Sequence, residues 1–214
     1  MARRKKQPAQ FHREAIASAA AELFEKRGIE AVSMDEIARL SGYSKATVYV
    51  YFKNKDELVS LLTLESMRRL HERITCALSQ SRGTRERYLL ICRELTGYQK
   101  RYPFYFKMAL EKIKLEPGAQ SDYGETFGVG EDINGLVAGF IREGMERGEL
   151  RRDMEPLPAV FAFWGALSGL IQLAAGKAEY IQSAMGMSSQ QFLDYGFELL
   201  YRGIAVNMEG GETA

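Results

Sequence analysis

Residues 33–58 read SMDEIARLSGYSKATVYVYFKNKDEL and predict three helix starts within 26 residues. Ser33, with a glutamate three positions later, fits a capping box, and Ser44 can cap a second helix. Asn54, again with a glutamate three positions later, resembles a capping box for a third helix. Gly42 lies between the first two helices and can adopt a positive φ without a Cβ penalty, which ends the first helix. Two short helices joined by a three-residue turn are the signature of a helix-turn-helix motif.

The side chains of this motif divide into a buried and an exposed set. Ile37, Leu40 and Val48 are spaced to be buried between the two helices and a preceding one. The others are left to face a partner, and their long donors suit phosphates and base edges. These exposed side chains are Lys45, Thr47, Tyr49, Tyr51, Lys53 and Lys55.

The run IAxxxGYSKxTVYxYFxxKxxL at residues 37–58 resembles the DNA-binding domain of TetR (tetracycline repressor-like) transcription regulators. The resemblance covers about residues 11–60, and beyond them only the length and the helix pattern match. It implies that the helix from Ser44 enters the major groove and that Tyr49, Tyr51 and Lys55 contact the DNA backbone.

Two positions of the motif differ from or vary within the family pattern, and at Val50 a base preference is not inherited from it. Ala46 stands where the family often has glycine, and Val50 occupies the variable position of the Tyr-x-Tyr-Phe group. The candidate DNA-binding residues are Ser33, Ser44, Lys45, Ala46, Thr47, Tyr49, Val50, Tyr51 and Lys55.

Charge is distributed unevenly along the 214 residues. Residues 1–55 carry 11 Lys/Arg and 6 Asp/Glu, a net charge of +5, whereas residues 56–214 carry 18 and 22, a net charge of −4. The asymmetry places a polyanionic partner at the N-terminal part. The basic stretch at residues 1–10 is expected to be disordered, as a solvated tail or as an arm that reaches along DNA.

The two cysteines, Cys76 and Cys92, have no metal-binding or disulfide pattern and are expected to be small buried hydrophobic residues. No apolar segment follows the basic N-terminus, so the sequence gives no sign of a secretory signal, and the reducing cytoplasm is the expected compartment. His12 is expected at the surface.

Helical periodicity continues through the rest of the chain and predicts an all-α protein. A first helix is expected over residues 11–27 and a long helix over residues 54–81. Further helices are expected from Gly83 and Pro103, over residues 131–147 and 156–176, and from Ser188 to about Val206. Residues 117–130 hold four glycines without a period and are expected to form a loop. The tail from residue 207 is expected to be disordered.

Residues 156–176 contain no charge and are long enough to cross a bilayer. Two prolines, several small residues and Gln172 argue instead for a helix buried between two copies of the chain. The candidate dimer-interface residues are Trp164, Leu167, Gly169, Leu173, Phe192 and Leu199.

The core helices of the second domain are rich in large adaptable side chains, and such side chains can line a pocket for an apolar ligand. Plain core packing explains each of them equally well, so the ligand hypothesis depends on the family resemblance. The candidate pocket residues are Tyr98, Tyr102, Phe104, Met108, Phe140 and Trp164.

No catalytic motif, metal-binding spacing or phosphate-binding loop stands in the sequence. We therefore expect no catalytic residues, no metal, no cofactor and no membrane insertion. The expected domains are a helix-turn-helix domain at 11–55 and a helical ligand-binding and dimerisation domain at 56–208, with a disordered tail at 209–214.

The expected function is that of a homodimeric repressor that binds a palindromic operator and is released by a small, largely apolar molecule. The alternatives are a dimeric DNA-binding protein without a ligand and, further away, a helical enzyme.

Overall fold

A computed structural model of the protein describes residues 8–80, 83–110 and 122–206, without the side chains of residues 122 and 123. The described part is helical apart from loops and one isolated antiparallel bridge between Leu150 and Ala205. The predicted all-α fold is therefore confirmed. The helices are α1 (Ala9–Arg27), α2 (Met34–Ser41), α3 (Lys45–Tyr51), α4 (Lys55–Ser79), α5 (Thr84–Arg101), α6 (Pro103–Leu110), α7 (Asp122–Glu146), α8 (Pro156–Gly176), α9 (Ala178–Met185) and α10 (Ser189–Ile204).

The first of two apolar cores, the N-terminal core, lies between α1, α2, α3 and the start of α4. Its buried side chains are Ile16, Ala17, Ala20, Ala21, Phe24, Val32, Ile37, Ala38, Val48, Phe52, Leu58, Leu62 and Met108. The predicted burial of Ile37 and Val48 is confirmed, but that of Leu40 is wrong, because Leu40 is 45% exposed. Ala38 is buried instead of Leu40. The buried face of α2 is therefore rotated by about one residue from the predicted face.

The second core, the C-terminal core, is built from α4, α5, α7, α8 and α10. Two tyrosines of α5 are fully buried in it and satisfy their hydroxyls on backbone oxygens: Tyr88 donates to Phe197 O at 2.8 Å and Tyr98 to Ser66 O at 3.0 Å. Burial raises the pKa of both hydroxyls above their usual range. The expected burial of Cys92 on α5 is confirmed, and this burial raises the pKa of its thiol to about 12.

Helix α4 belongs to both cores. Leu58 and Leu62 pack in the N-terminal core, whereas Leu70 and Ile74 pack in the C-terminal core. Its 25 residues span roughly 37 Å at 1.5 Å per residue. One continuous helix therefore connects the helix-turn-helix to the middle of the second core.

Helix α6 forms a second connection between the cores, which we call the α6 junction. Met108 is 5% exposed and packs in the N-terminal core, while Phe106, two residues earlier, packs in the C-terminal core. The rings of Phe104 and Phe24 on α1 lie 6.3 Å apart. Because α6 contacts α1 as well as α4 and α5, the two cores are connected by a path that does not run through α4.

The loop predicted for residues 117–130 is wrong from Asp122 onward, where α7 begins. Glycine lowers helix propensity, but packing against α4 outweighs that cost here. Gly130 faces Met67, whose Cε would stand 3.5 Å from an added Cβ, and Thr126 is 3% exposed. Residues 117–121 lie outside the described residues.

The extent of α8 agrees with the predicted helix at 156–176, and its proline stands in the first turn. One face of α8 packs against α5, α7 and α10, while the other is exposed. Within the described ranges, α8 is the helix whose length and composition would allow it to cross a membrane, and 22% of its apolar window is buried. The core helix of a soluble protein passes the same test, so this helix is weak evidence of membrane insertion.

The end of the chain contains one predicted and one unpredicted helix. The helix expected from Ser188 is present as α10, and a capping box of Ser188 with Gln191 starts it. The preceding α9 has no counterpart in the sequence prediction. It buries only Ile181 and ends at Gly186, whose φ is +67°.

Three further expectations require correction or lie outside the described residues. Cys76 is exposed on α4, although the sequence predicts a buried residue. Ala9 and Gln10 belong to α1, so the disordered arm predicted for residues 1–10 does not extend that far. The rest of the arm and the tail from residue 207 lie outside the described residues.

Candidate nucleic-acid interface and ligand site

The capping box at the start of α2 is present as predicted. Ser33 Oγ accepts from the N–H of Glu36 at 3.4 Å, and Glu36 Oε2 accepts from the N–H of Ser33 at 2.9 Å. Arg27 also donates to Glu36, at 2.5 Å. This bond, with those from Ser33, lowers the pKa of the Glu36 carboxyl to about 2. The entry to α2 is therefore fixed to the end of α1.

The turn between α2 and α3 also follows the sequence prediction. Gly42 has φ +76° and ends α2 in the left-handed region. Ser44 Oγ accepts from the N–H of Thr47 at 3.0 Å and caps α3. Local capping and one glycine therefore set the angle between the two helices.

At the start of α4 the cap differs from the predicted capping box. Asn54 Oδ1 accepts from the N–H of Glu57 at 2.9 Å, as expected. Glu57 Oε2, however, accepts from the N–H of Lys53 at 2.7 Å instead of from that of Asn54. Asn54 thus caps α4, while the Glu57 carboxylate accepts a hydrogen bond from the backbone N–H of Lys53, the residue before Asn54.

The outward side of α3 forms a continuous exposed surface, which we call the recognition surface. It consists of Ser44, Lys45, Ala46, Tyr49 and Val50, all of them exposed. Val50 is 79% exposed and Tyr49 44%, while Val48 between them is fully buried. The major groove of DNA admits an α-helix, and α3 presents an exposed face that could enter it.

The remaining polar candidates lie at the edge of the recognition surface. Thr47 and Tyr51 are half-buried. Lys45 Nζ contacts Asp35 Oδ1 at 2.7 Å, and this bond raises the pKa of the ammonium group. A DNA phosphate would therefore compete with Asp35 for Lys45.

Lys55 is turned toward the protein. Its Nζ donates to the carbonyl oxygens of Ile29, at 2.8 Å, and Val32, at 3.3 Å, and the side chain is 25% exposed. Glu30 contacts the same ammonium group at 3.9 Å. Lys55 thus ties the first turn of α4 to the α1–α2 connection, and a phosphate at the N-terminus of α4 would meet a lysine that is already held in place.

The sequence analysis missed the contacts that hold α3 from behind. His12 Nδ1 and Tyr43 Oη lie 2.7 Å apart, so His12 is engaged and half-buried, not a surface residue. Arg13 Nη1 donates to Tyr51 O at 3.0 Å, and its guanidinium lies 4.6 Å from the centre of the Phe52 ring. Residues at both ends of α3 therefore contact α1. These contacts join positions far apart in the chain, so no local sequence pattern predicts them.

The six pocket candidates do not converge on one site. Tyr98 and Phe140 are buried in the C-terminal core, whereas Phe104 and Met108 belong to the α6 junction. Tyr102 lies beneath the guanidinium of Arg69, whose Cζ is 5.2 Å from the ring centre.

Trp164 lines a narrow crevice between α4, α5, α6 and α8. The crevice is too narrow to admit a water-sized sphere. Its walls are almost entirely apolar and consist of Leu70, Leu95, Phe106, Ala109, Leu110, Trp164 and Ser168.

The interface candidates divide between the surface and the interior. Gly169, Leu173 and Leu199 are exposed, and Trp164 and Phe192 are half-buried. Leu167 is 1% exposed and packs in the C-terminal core, because it lies on the opposite side of α8.

The exposed apolar face is larger than the sequence predicts, and we call it the α8–α10 face. It also contains Leu157 and Phe161 of α8 and Tyr195 of α10, which are 53%, 60% and 61% exposed. Residues four apart along α8 share this face. Because α8 contains no charged residue, its sequence does not show which side is exposed.

The described residues combine a helix-turn-helix at the N-terminal end with a helical C-terminal domain. Residues 16–62 match the family model described as "Bacterial regulatory proteins, tetR family". This match confirms the resemblance to the tetR family that was drawn from the sequence.

Known relatives agree with this assignment. The HTH-type transcriptional regulator TtgR of Pseudomonas putida is 39% identical over 77 residues, which are 36% of this chain and 36% of the relative. The match thus spans little more than a third of that relative's length.

Solved structures share the fold over nearly the whole chain. A tetR family transcription regulator from Shewanella sp. PV-4 has a TM-score of 0.69 at 19% identity, covering 92% of this chain and 99% of its own. The transcriptional regulator FadR from Bacillus subtilis in complex with stearoyl-CoA also has a TM-score of 0.69 at 19% identity, with coverages of 89% and 98%.

Proposed function

We propose that the protein is a ligand-responsive transcriptional repressor that binds a palindromic operator as a homodimer in the cytoplasm. The observation that carries the proposal is the pair of connections between the two cores. Helix α4 and the α6 junction join a helix-turn-helix to a core lined by a narrow apolar crevice. A plain DNA-binding domain does not need two such connections.

In this proposal residues 11–55 bind DNA, and residues 56–208 bind the effector and hold the dimer together. Helix α3 enters the major groove, and its exposed Ala46 and Val50 contact base edges. Phosphates line the walls of the groove, and their oxygens can accept hydrogen bonds from the donors that flank α3. The phosphate contacts are assigned to Ser33, Ser44, Lys45, Thr47, Tyr49, Tyr51 and Lys55.

The α8–α10 face is the proposed dimer interface. Its exposed leucines and aromatic rings lie on two helices that pack against each other. A large exposed apolar surface usually marks an interaction site. Gly165 and Gly169 in the middle of α8 have no neighbouring atom within 4 Å of an added Cβ among the described residues, which supports close approach by a partner helix. A two-fold dimer would place two α3 helices about 34 Å apart, one helical turn of DNA.

The proposed effector is a small, largely apolar molecule that binds in the C-terminal core. The crevice beside Trp164 is its entrance, and it must widen because its walls are too close for a ligand. The complex of Bacillus subtilis FadR with stearoyl-CoA supports an acyl compound as the first class to test. An effector that prefers the widened state would tilt α4 and α6 and separate the recognition surfaces from their half-sites.

Operator binding and release test the proposal in sequence. DNA selected from a random library by the purified protein should contain an inverted repeat and bind with a specific affinity that depends on salt. Native mass spectrometry of the purified protein should then reveal a bound compound, and adding that compound should lower operator affinity by about 5- to 150-fold.

Each alternative gives a different result in the same experiment. Operator binding that no bound or added apolar compound changes would favour a dimeric DNA-binding protein without a ligand. Chemical turnover of the bound compound would favour a helical enzyme. Failure to select any DNA sequence would overturn the proposal.

A further inference from the structure

Arg87, in the first turn of α5, is a buried cation with an unused hydrogen-bonding edge. The residue is 7% exposed. Its Nη1 donates to Glu143 Oε2 at 2.6 Å, and its guanidinium lies 5.4 Å from the centre of the Phe140 ring. Nε and Nη2 are buried and have no hydrogen-bond partner among the described residues. Buried donors of a charged group are costly to leave unpaired, so this edge requires an acceptor.

The geometry of the unpaired edge specifies the acceptor. Nε–H and Nη2–H form one side of the planar guanidinium, a fork that binds a carboxylate through two parallel hydrogen bonds. Thr84 lies three residues earlier on the same side of α5, is fully buried, and has an Oγ1 that is likewise unpaired within the described part of the chain. Both lie at the N-terminus of an 18-residue helix, which favours negative charge.

The nearest carboxylates of the chain are already engaged. Glu143 bonds Nη1 of Arg87 and also pairs with Arg147, and the Arg87 bond lowers the pKa of the Glu143 carboxyl. Glu149 Oε2 accepts from the N–H of Thr84 at 3.1 Å. The free edge of Arg87 thus has no acceptor among the described residues.

The position of Arg87 relates this edge to the crevice. Ile91 and Leu95 follow Arg87 in steps of four residues along the buried side of α5, and Leu95 forms part of the crevice wall with Trp164. Eight residues of helix correspond to about 12 Å. An aliphatic chain that starts at Arg87 and follows α5 through the apolar core would therefore reach the crevice.

We propose that Arg87 and Thr84 bind the carboxylate of an aliphatic carboxylic acid whose chain extends along α5 toward the crevice beside Trp164. This proposal rests on the proposed function and makes the effector such an acid. The site is closed by α7, since an added Cβ at Gly144 would stand 3.0 Å from Thr84 Cγ2. The acid must therefore bind a state in which α5 and α7 have moved apart, and α7 also packs along α4. Such a preference for one state is what coupling to the operator requires.

The test compares sodium decanoate with 1-decanol, which carries the same chain without the charge. Trp164, the sole tryptophan, reports arrival of the chain in the crevice through its fluorescence, and the anisotropy of labelled operator reports release. Wild-type protein should bind decanoate about 10- to 100-fold more tightly than decanol, as expected for a charge-assisted bidentate pair.

Two variants and a matched control locate the preference. Arg87→Lys keeps the charge but removes the fork, so the preference for decanoate should fall to a few-fold while decanol affinity stays the same. Thr84→Val should reduce it less. Arg85→Gln serves as the control, because Arg85 stands on the same turn but is exposed and pairs with Glu198, and it should keep the full preference. Circular dichroism verifies that each variant is folded.

Each outcome separates this site from the proposed function. Equal affinities for decanoate and decanol would overturn the carboxylate site, and so would an undiminished preference for decanoate in Arg87→Lys. If decanoate and decanol both release the operator, the proposed function still stands. Decanoate binding that depends on Arg87 but leaves the operator bound would support the site and refute release. Acetate displacing decanoate at equal concentration would assign the site to a small free anion and overturn the proposal, as would absence of binding by both decyl compounds.

Discussion

Replacement of Met108 by alanine tests the α6 junction, because this residue lies far along the chain but packs in the N-terminal core. Met108 is 5% exposed among side chains of α1–α4. We expect Met108→Ala to loosen the helix-turn-helix more than the C-terminal core. A matched control is Met67→Ala, since Met67 is 8% exposed and packs in the C-terminal core.

The expected size follows from the packing of the site. Truncation of a buried methionine to alanine costs about 2–5 kcal/mol. The lower end applies to Met108, because its neighbours Phe104 and Tyr105 are only half-buried and can close over the gap. A loss of about 2 kcal/mol increases the population of the open N-terminal core about 30-fold.

Hydrogen exchange at individual amides measures this change. In Met108→Ala the slowest amides of α1–α3 should exchange about 30-fold faster, while in Met67→Ala they should change much less than those of α5 and α7. Unchanged exchange of α1–α3 in Met108→Ala would show that α6 does not support the helix-turn-helix. Equal acceleration of α1–α3 by both variants would show that the two cores open as one unit.

Three further predictions concern the capping box, the DNA contacts and the interface. The pKa of Glu36, about 2 in the folded protein against 4.5 normally, means that its carboxylate stabilises the fold above pH 4.5 and that this contribution is lost as the pH falls toward 2. The melting temperature of Glu36→Gln should therefore fall less than that of wild type over this range, and parallel pH profiles would contradict the capping role. Lys55→Ala should weaken binding to all DNA sequences about equally and reduce the slope of log affinity against log salt by about one; a loss confined to the operator would refute a phosphate contact. Leu173→Arg would bury a charge in the α8–α10 face, so sedimentation should detect monomer at micromolar concentration, and an unchanged dimer would place the interface elsewhere.

Local patterns in the sequence predict several helix starts well, including those of the helix-turn-helix. Ser33, Ser44 and Ser188 cap their helices through neighbours three residues away, and Gly42 needs only its own backbone freedom. Each of these signals lies within one turn of the chain. They therefore hold whatever packs around them.

Positions that depend on distant packing could not be predicted in this way. The glycine-rich start of α7 is helical because α4 lies beside it, with Met67 against Gly130. Met108 is apolar at helical spacing, which predicts burial but does not distinguish the two cores.

The missed contacts of the candidate sites have the same origin. His12 and Tyr43 are separated by 31 positions, and Arg13 and Tyr51 by 38. Arg87 reads as an ordinary surface arginine on an amphipathic helix, and only its burial distinguishes it. These properties arise from the tertiary structure.

The shared helix α4 limits how this protein can be recombined with others. A chimera that joins the first 55 residues to a foreign effector domain would separate Leu58 and Leu62 from the core they complete. The family match at residues 16–62 extends through both leucines, but it omits Met108. A transplanted DNA-binding module should therefore include residues up to 62. The acceptor protein should also provide a methionine or similar side chain at the position equivalent to Met108 on its α6. Exchange of operator specificity between such regulators is then a problem of matching one helix face as well as one recognition helix.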